Sequence, residues 1–356
     1  MSLNATLLND LQASDAINEK RFFEKGIINA VKASTPSVQF LSPSARAEMQ
    51  TISSDRDVQF PVLQDQTVVT NSSPSFTIPA NLTTSAQYSF TAVDVFSGFR
   101  HYPSLYANNT IDGEWDKQQK LLNIADAMAT DIEVLLETQL AARRSQLMNF
   151  TTQISQGDGV YTYNGAPDTL EINKAAQKET MFTNLTALMA ANELPGNYRV
   201  ITSPAGLAVQ KSELAKYGSG NDKNLQALGM FGADQMHESN SISAGSDVFN
   251  GYLLRDGSIG MIENFPADFV AGTKFGAKEW SISDMEIPGT GMRANIYTNS
   301  EATDATALVT SGTDSNLKMT HFEEMAIWQR FFIVYEYNSD LASRVSSIVQ
   351  LSGKTS

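Results

Sequence analysis

Three histidines stand in the chain, His101, His237 and His321, and each falls in a different stretch of sequence. Acids lie beside two of them, in His237-Glu238 and in His321-Phe322-Glu323-Glu324. No His-Glu-x-x-His occurs, and a metal centre needs several ligands converging on one point, so a solvated or packed histidine is the plainer reading of each. Acid pairs exist, but nothing in the sequence sets the separation that glycosidase carboxylates require. Gly-x-Ser-x-Gly is missing, which removes the elbow-type serine nucleophile. The chain also has no cysteine, and this excludes disulfide frameworks, thiolate metal sites and thiol nucleophiles together.

The remaining short motifs are equally weak. Ser352-Gly353-Lys354-Thr355 imitates the end of a phosphate loop, but Ile348 stands where the first glycine belongs. Gly289-Thr290-Gly291, with Ala294 after it, has dinucleotide spacing yet precedes a predicted strand rather than opening a helix. Gly157-Asp158-Gly159 reads as a turn before it reads as a cation site. Arg143-Arg144 closes a predicted helix, where two cations offset the helix dipole. Met128, Met148, Met181 and Met189 sit at helical positions and read as gap-filling core residues. The expectation is a chain that is not an enzyme, with no cofactor and no metal.

The 39 acids against 25 bases give a formal net charge of -14, a surface that repels polyphosphate. The N-terminal MSLNATLLNDLQASD lacks a basic start and an apolar core, and no apolar run reaches the length of a membrane span. A soluble, unprocessed chain is expected. With 356 residues and 42% hydrophobic content it is long enough to bury a large core without staples.

Several elements follow from pattern. Residues 14–33 carry an imperfect apolar stripe at Ile17, Phe22, Phe23, Ile27 and Val31, read as a short docking arm; 34–54 reads as an extended linker. From Val58 onward VQFPVL, TVVT and FTI are short strand-like runs broken by Asn71-Ser72-Ser73-Pro74, which predicts a long hairpin with little core. A two-stranded ribbon is marginal in water unless something packs against it. YSFTAVDVF predicts a further strand with Tyr88, Phe90, Ala92 and Phe96 on one face and Ser89, Thr91, Val93 and Val95 on the other, which suits a sheet buried chiefly on one side.

Between Gly113 and Gly157 neither glycine nor proline occurs. Leu122, Ala125, Ala129, Ile132, Leu136, Leu140 and Leu147 recur at spacings of three, four and seven, predicting one helix of roughly 50 Å. Beyond it come a hairpin at Asn164-Gly165, a helix at 180–193, and the strand YRVITS running into a helix with Ser203 as N-cap and Pro204 at its first position. Residues 219–246 read as loop, and Asp256-Gly257 as the turn of another hairpin. Strands are predicted near 268–275, 280–287 and 293–298, then an exposed excursion over 299–320. The strand MAIWQRFFIVYEYN follows, and a terminal amphipathic helix through Leu341, Val345, Ile348 and Val349.

In order, these elements are an arm, a hairpin with little core, a strand entering one very long helix, and a mixed domain opening with TSPAGLAVQKSELAKYG. That order resembles the major capsid proteins of tailed phages, the HK97-like shell fold, over nearly the whole chain. The resemblance implies an α+β fold with an N-terminal arm at 1–55 and an extended E-loop at 56–86. It implies a P-domain at 87–195 and 291–356, with its spine helix at 114–149, and a mixed α/β axial A-domain at 196–290. It further implies self-assembly into hexamers and pentamers of an icosahedral shell enclosing double-stranded DNA, contacted only non-specifically, in a virion assembled in the host cytoplasm. Expected partners are other copies of the chain, a separate scaffolding protein, a portal and decoration proteins, with no membrane. Phe22, Phe23, Phe60, Val68, Val69, Phe76, Ile78, Arg143 and Arg144 are the expected assembly contacts. Some members crosslink an E-loop lysine to a neighbour's asparagine, but no lysine lies between Lys32 and Lys117, so this loop cannot form that bond. An encapsulin-like nanocompartment and a non-viral surface structural protein are the alternative readings.

Overall fold

A computed structural model describes residues 25–52, 56–63, 85–102, 113–144, 161–165, 168–173, 189, 196–209, 233–265, 274–275, 278–279, 281–287, 290–303, 321–336 and 347–355. The expected helix at 180–193, except Met189, the strand-like runs TVVT and FTI, and most of the 299–320 excursion lie outside them.

The first helix, α1 (Gly26–Ser34), buries Ile27, Ile28, Ala30 and Val31 completely. Apolar on most sides, it is a core helix rather than an arm lying over a surface. Gly26 allows this: a Cβ there would lie 2.1 Å from the Glu238 carbonyl oxygen. The stretch after it is not an extended linker either. It forms a short 3₁₀ turn, Thr35–Ser37, and a second helix, α2 (Pro43–Thr51). Ser42 caps α2, its hydroxyl accepting from Ala45 N at 3.2 Å, with Pro43 at the first position.

The paired strands β1 (Val58–Leu63) and β2 (Ser85–Phe90) form the base of the predicted hairpin, in register from Val58↔Phe90 to Leu63↔Ser85. Next, β3 (Ala92–His101) leads toward the long helix α3 (Gly113–Ala142), which follows the predicted stripe closely. Leu122, Ala125, Ala129, Ile132, Leu136 and Leu140 are all buried. The helix is described to Ala142, after which Arg143 lies over the Tyr335 ring and Arg144 Nη1 donates to Gln350 Oε1 at 2.9 Å; residues 145–149 of the expected spine, Leu147 among them, lie outside the described residues.

Six strands make one sheet: β4 (Tyr161–Asn164), β5 (Thr169–Ile172), β6 (Tyr198–Thr202), β7 (Ala233–Glu238), β8 (Phe249–Arg255) and β15 (Ile348–Gly353). Their order is β4-β5-β15-β8-β6-β7, with β5/β15 and β6/β7 parallel and the other pairs antiparallel. Two expectations are corrected here. Ile348 and Val349 belong to a strand, not a terminal helix, because β15 fills the slot between β5 and β8. And β7 lies inside the stretch read as loop. Ser203 does precede a helix at 204–209, serving it through its carbonyl, which accepts from Gly206 N at 2.9 Å.

The second large sheet contains β9 (Ile259–Asn264), β12 (Ser281–Ile287), β13 (Met292–Thr303) and β14 (His321–Tyr335), in the order β12-β13-β14-β3; β9 also pairs with β14, over Arg330 to Tyr335. Between β9 and β12, β10 (Lys274–Phe275) and β11 (Lys278–Glu279) form a small sheet of their own, with β11 close to β13. The Asp256-Gly257 turn therefore joins two different sheets instead of closing a hairpin. Gly257 has φ +89 there, and a Cβ would meet the Ser37 carbonyl oxygen at 2.4 Å. Both sheets draw strands from either side of the expected boundaries at 195 and 290.

The start of α3 packs Leu121, Leu122, Ala125, Met128 and Ala129 on Met285, Ile287, Ala294, Ile296, Met325 and Ile327 of the five-stranded sheet. Its later turns, Ile132, Leu136 and Leu140, join α1 and residues of both sheets, among them Ile201, Leu254, Phe331 and Ile348, in one cluster. A third cluster sets α2 and the ribbon base, through Met49, Val58 and Phe90, against Phe332 and Val334. Among the described residues no helix is long and apolar enough to cross a membrane.

Candidate assembly surfaces

Among the described side chains of the ribbon β1–β2, those at its root enter the core. Val58 and Phe90 are buried, and Tyr88, Phe90 and Tyr335 form an edge-to-face triangle with centroids 4.8 to 5.5 Å apart. Outward from this root, Gln59 and Gln87 are exposed and bond each other across the ladder at 2.5 Å. Of the expected contact residues, Phe60 lies in this ladder opposite Tyr88. Phe22, Phe23, Val68, Val69, Phe76 and Ile78 lie outside the described residues.

A second surface was not legible from pattern. Phe96 shares its face in the sequence alternation with Phe90, yet Phe90 is buried and Phe96 is 66% exposed. The chain reaches β3 after a break in pairing at Thr91, and from Val93 onward the odd-numbered residues Val93, Val95 and Phe99 pack inward. Phe96 stands opposite Trp328 in the ladder, and Trp328 Nε1 donates to Asp94 Oδ1 at 3.0 Å. The Tyr297 ring lies 6.1 Å from Trp328, and burial pushes its hydroxyl pKa well up, so it stays neutral. On β3 Arg100 lies over the Phe322 ring at 4.5 Å and its Nε pairs with Glu324 Oε1 at 3.2 Å. This end of the sheet face thus presents an aromatic ridge with charges at its margin, while its other end is covered by α2 and the ribbon root. Among the described residues β3 pairs with β14 alone.

Residues with chemical potential are placed as structural groups. Thr290 and Gly291 make the turn before β13, Thr290 Oγ1 donating to the Ile287 carbonyl at 2.8 Å and accepting from Met292 N at 3.1 Å. Lys354 bridges Asp247 at 3.0 Å and Glu171 at 3.2 Å beside β15. His237 is buried on β7, His101 ends β3 and His321 begins β14. Arg143 and Arg144, expected as assembly contacts, make the intrachain contacts given above. A cavity of about 350 Å³ lies between Lys25, α3 and Asn240-Ser241. Its charged groups are engaged: Lys25 Nζ lies 3.3 Å from Asp126 and donates to Thr130 Oγ1 at 2.7 Å, and Glu133 accepts from Ile27 N. Among the described residues no group of three or more His, Cys, Asp or Glu could hold a metal ion.

No protein-family model matches the chain, and no curated protein matches it. Among solved structures it is similar to a chain in the capsid structure of the cyanophage P-SCSP1u, with 13% identity and a TM-score of 0.45 over 86% of each chain. A chain of Gordonia phage Cozz has 12% identity and a TM-score of 0.42, over 95% of this chain and 89% of that one. A chain in the head structure of Helicobacter pylori bacteriophage KHP40 has 11% identity and a TM-score of 0.42, over 95% and 93%.

Proposed function

We propose that this chain is a shell-forming subunit, the major capsid protein of a tailed phage with an HK97-like fold. The observation that carries the reading is the ribbon: a two-stranded element that gives the core Val58, Phe90 and the partly buried Tyr88, and whose further stability must come from burial elsewhere. In an assembly of identical subunits that burial is supplied by a neighbouring copy. The element order supports the same reading, with β1–β2 as the E-loop root; in place of one A-domain segment at 196–290, the six-stranded sheet, with its strands from 161–172 and 348–353, is taken as the A-domain and α3 on the five-stranded sheet as the P-domain. Hexamers and pentamers of an icosahedral shell are the assembly, with scaffolding, portal and decoration proteins as partners. The net charge of -14 suits a wall that must not adhere to packaged double-stranded DNA. The place of the protein is then the virion, assembled in the host cytoplasm.

The test is to purify the full chain and the deletion of 64–84 and compare them by in-line small-angle scattering and electron microscopy. The full chain is expected to form shell-sized particles, and the deletion a folded subunit that does not assemble. A compact full-length monomer with a radius of gyration near about 20 Å would sink the reading. Loss of folding on deletion would refute the assignment of the ribbon as an assembly element. Shells holding protein cargo and no DNA would point instead to a nanocompartment.

A further inference from the structure

We propose that the cavity between α3 and Asn240-Ser241 is the seat of the Phe22-Phe23 pair of the same chain. One wall is α3 from Asp126 to Val134, the other is the Asn240-Ser241 stretch after β7, and Lys25, the first described residue, lines it as well. Its volume is about 350 Å³, and since a cavity of roughly 150 Å³ holds a benzene ring, one phenylalanine side chain enters with room to spare.

The chain leaves this wall from a pinned point. Lys25 is held to Asp126 and Thr130, Ile27 N donates to Glu133, and Gly26 lies so close to β7 that a Cβ would come within 2.1 Å of the Glu238 carbonyl oxygen. At no more than roughly 3.6 Å of span per residue, Phe23 starts within about 7 Å of Lys25 and Phe22 within about 11 Å, whatever path the backbone takes. A partner from another molecule must first find the cavity. These two rings are delivered to it by the covalent chain, at the high effective concentration of a short tether.

The lining selects a ring over an ion. Lys25 and Asp126 face each other and Glu133 accepts from backbone, so a charged ligand would have to displace those contacts. What the lining presents beyond them is more apolar than polar, with Val134 47% exposed, and next to Val134 on α3 Leu135 is 38% exposed. Two adjacent phenyl groups gain by leaving water, and Val134 is covered in the same step. Adjacent side chains diverge in extended and helical backbone alike, so one ring fills the cavity and the other lies at its mouth. This places the pair on its own subunit, where the sequence pattern alone suggested a neighbouring copy, and it does not depend on what the subunit assembles into.

The chain has no cysteine, so a single thiol introduced on α3 reports on the cover directly. Val134→Cys in the full chain should react with iodoacetamide at least roughly tenfold more slowly than Thr138→Cys, one turn further along the same exposed face. This comparison touches neither ring, so it reads whether or not a ring variant folds. Phe22→Ser together with Phe23→Ser should raise the rate at 134 to that at 138 and leave the rate at 138 unchanged. Which chain supplies the rings is read by pairing Arg21→Cys with Asn240→Cys, both rings kept: a short bis-maleimide should link the two within one chain, at a rate independent of protein concentration. Equal rates at 134 and 138, protection of 134 that survives the double serine change, or a link absent or formed only between two chains would each overturn the proposal, the last by giving the seat to a second copy.

Discussion

The Glu133 carboxylate, midway along α3, accepts a hydrogen bond at 3.1 Å from the backbone N–H of Ile27, 106 residues earlier in the chain. The residue preceding α1 supplies no side-chain cap of its own, so a buried carboxylate from another helix takes that part. Lys25 adds its contacts to Asp126 and Thr130, and these residues with Glu133 lie along one face of α3 at spacings of four and three. The start of α1 is pinned to the long helix over two turns.

Removing that cap should be felt. Glu133→Ala leaves a buried N–H unsatisfied, and we expect a loss of about 1–3 kcal/mol in urea denaturation. Glu133→Gln keeps an acceptor oxygen in the same place and should cost clearly less. Equal losses in both variants would show that the charge, not the hydrogen bond, is what α1 requires.

Core and surface positions should separate stability from assembly. Leu136→Ala opens a void in the cluster where α1, α3 and both sheets meet, with an expected cost of about 2–5 kcal/mol. Phe96→Ser alters a side chain that is mostly in water and should change subunit stability by no more than about 0.5 kcal/mol. Particle yield by scattering should nevertheless fall in Phe96→Ser. An unchanged yield would remove the aromatic ridge from the assembly surfaces.

Glu137 gives the subunit a pH dependence of its own. Burial, with Glu133 one turn away, raises the Glu137 pKa above its ordinary value. Its folded state therefore binds protons more readily than its unfolded state. Its contribution is fully present at acid pH and is lost as pH rises from about 4.3 through the raised folded value. Glu137→Gln should accordingly raise the melting temperature at pH 7 and flatten its pH profile on the acid side. A lower melting temperature at pH 7 would mean that the ionised carboxylate has a favourable partner.

The parts of the fold legible in sequence are those whose own periodicity decides them. The stripe from Leu122 to Leu140 needs only a partner of any kind to become a buried helix face, and the Asn164-Gly165 turn closes β4 on β5 by local geometry. Elements set by distant partners were misread. Ile348 and Val349 suit a helix or a strand equally, and only the slot between β5 and β8 selects the strand. Ser34 and Thr35 look like linker residues, but their hydroxyls satisfy backbone groups of the β8–β9 turn and β9: Ser34 Oγ with Gly257 N and the Ile259 carbonyl, each at 2.8 Å, and Thr35 Oγ1 with Met261 N at 2.9 Å. The exposure of Phe96 depends on which face of a sheet is left open, a property of the packed whole that alternation along one strand does not contain.

The position of β15 between β5 and β8 also has a consequence in time. Gln350 pairs with Thr169, so the strand that joins the two parts of the six-stranded sheet is made about 180 residues after its neighbour. At roughly 5–20 residues per second, a ribosome needs on the order of 10–35 s to travel that far. Throughout that interval the β4–β5 hairpin waits with an unpaired edge, and Leu170 and Ile172, fully buried in the finished sheet, lack the strand that covers them. Translation that stalls before Ile348 leaves two part-sheets, each offering an open edge to other nascent chains.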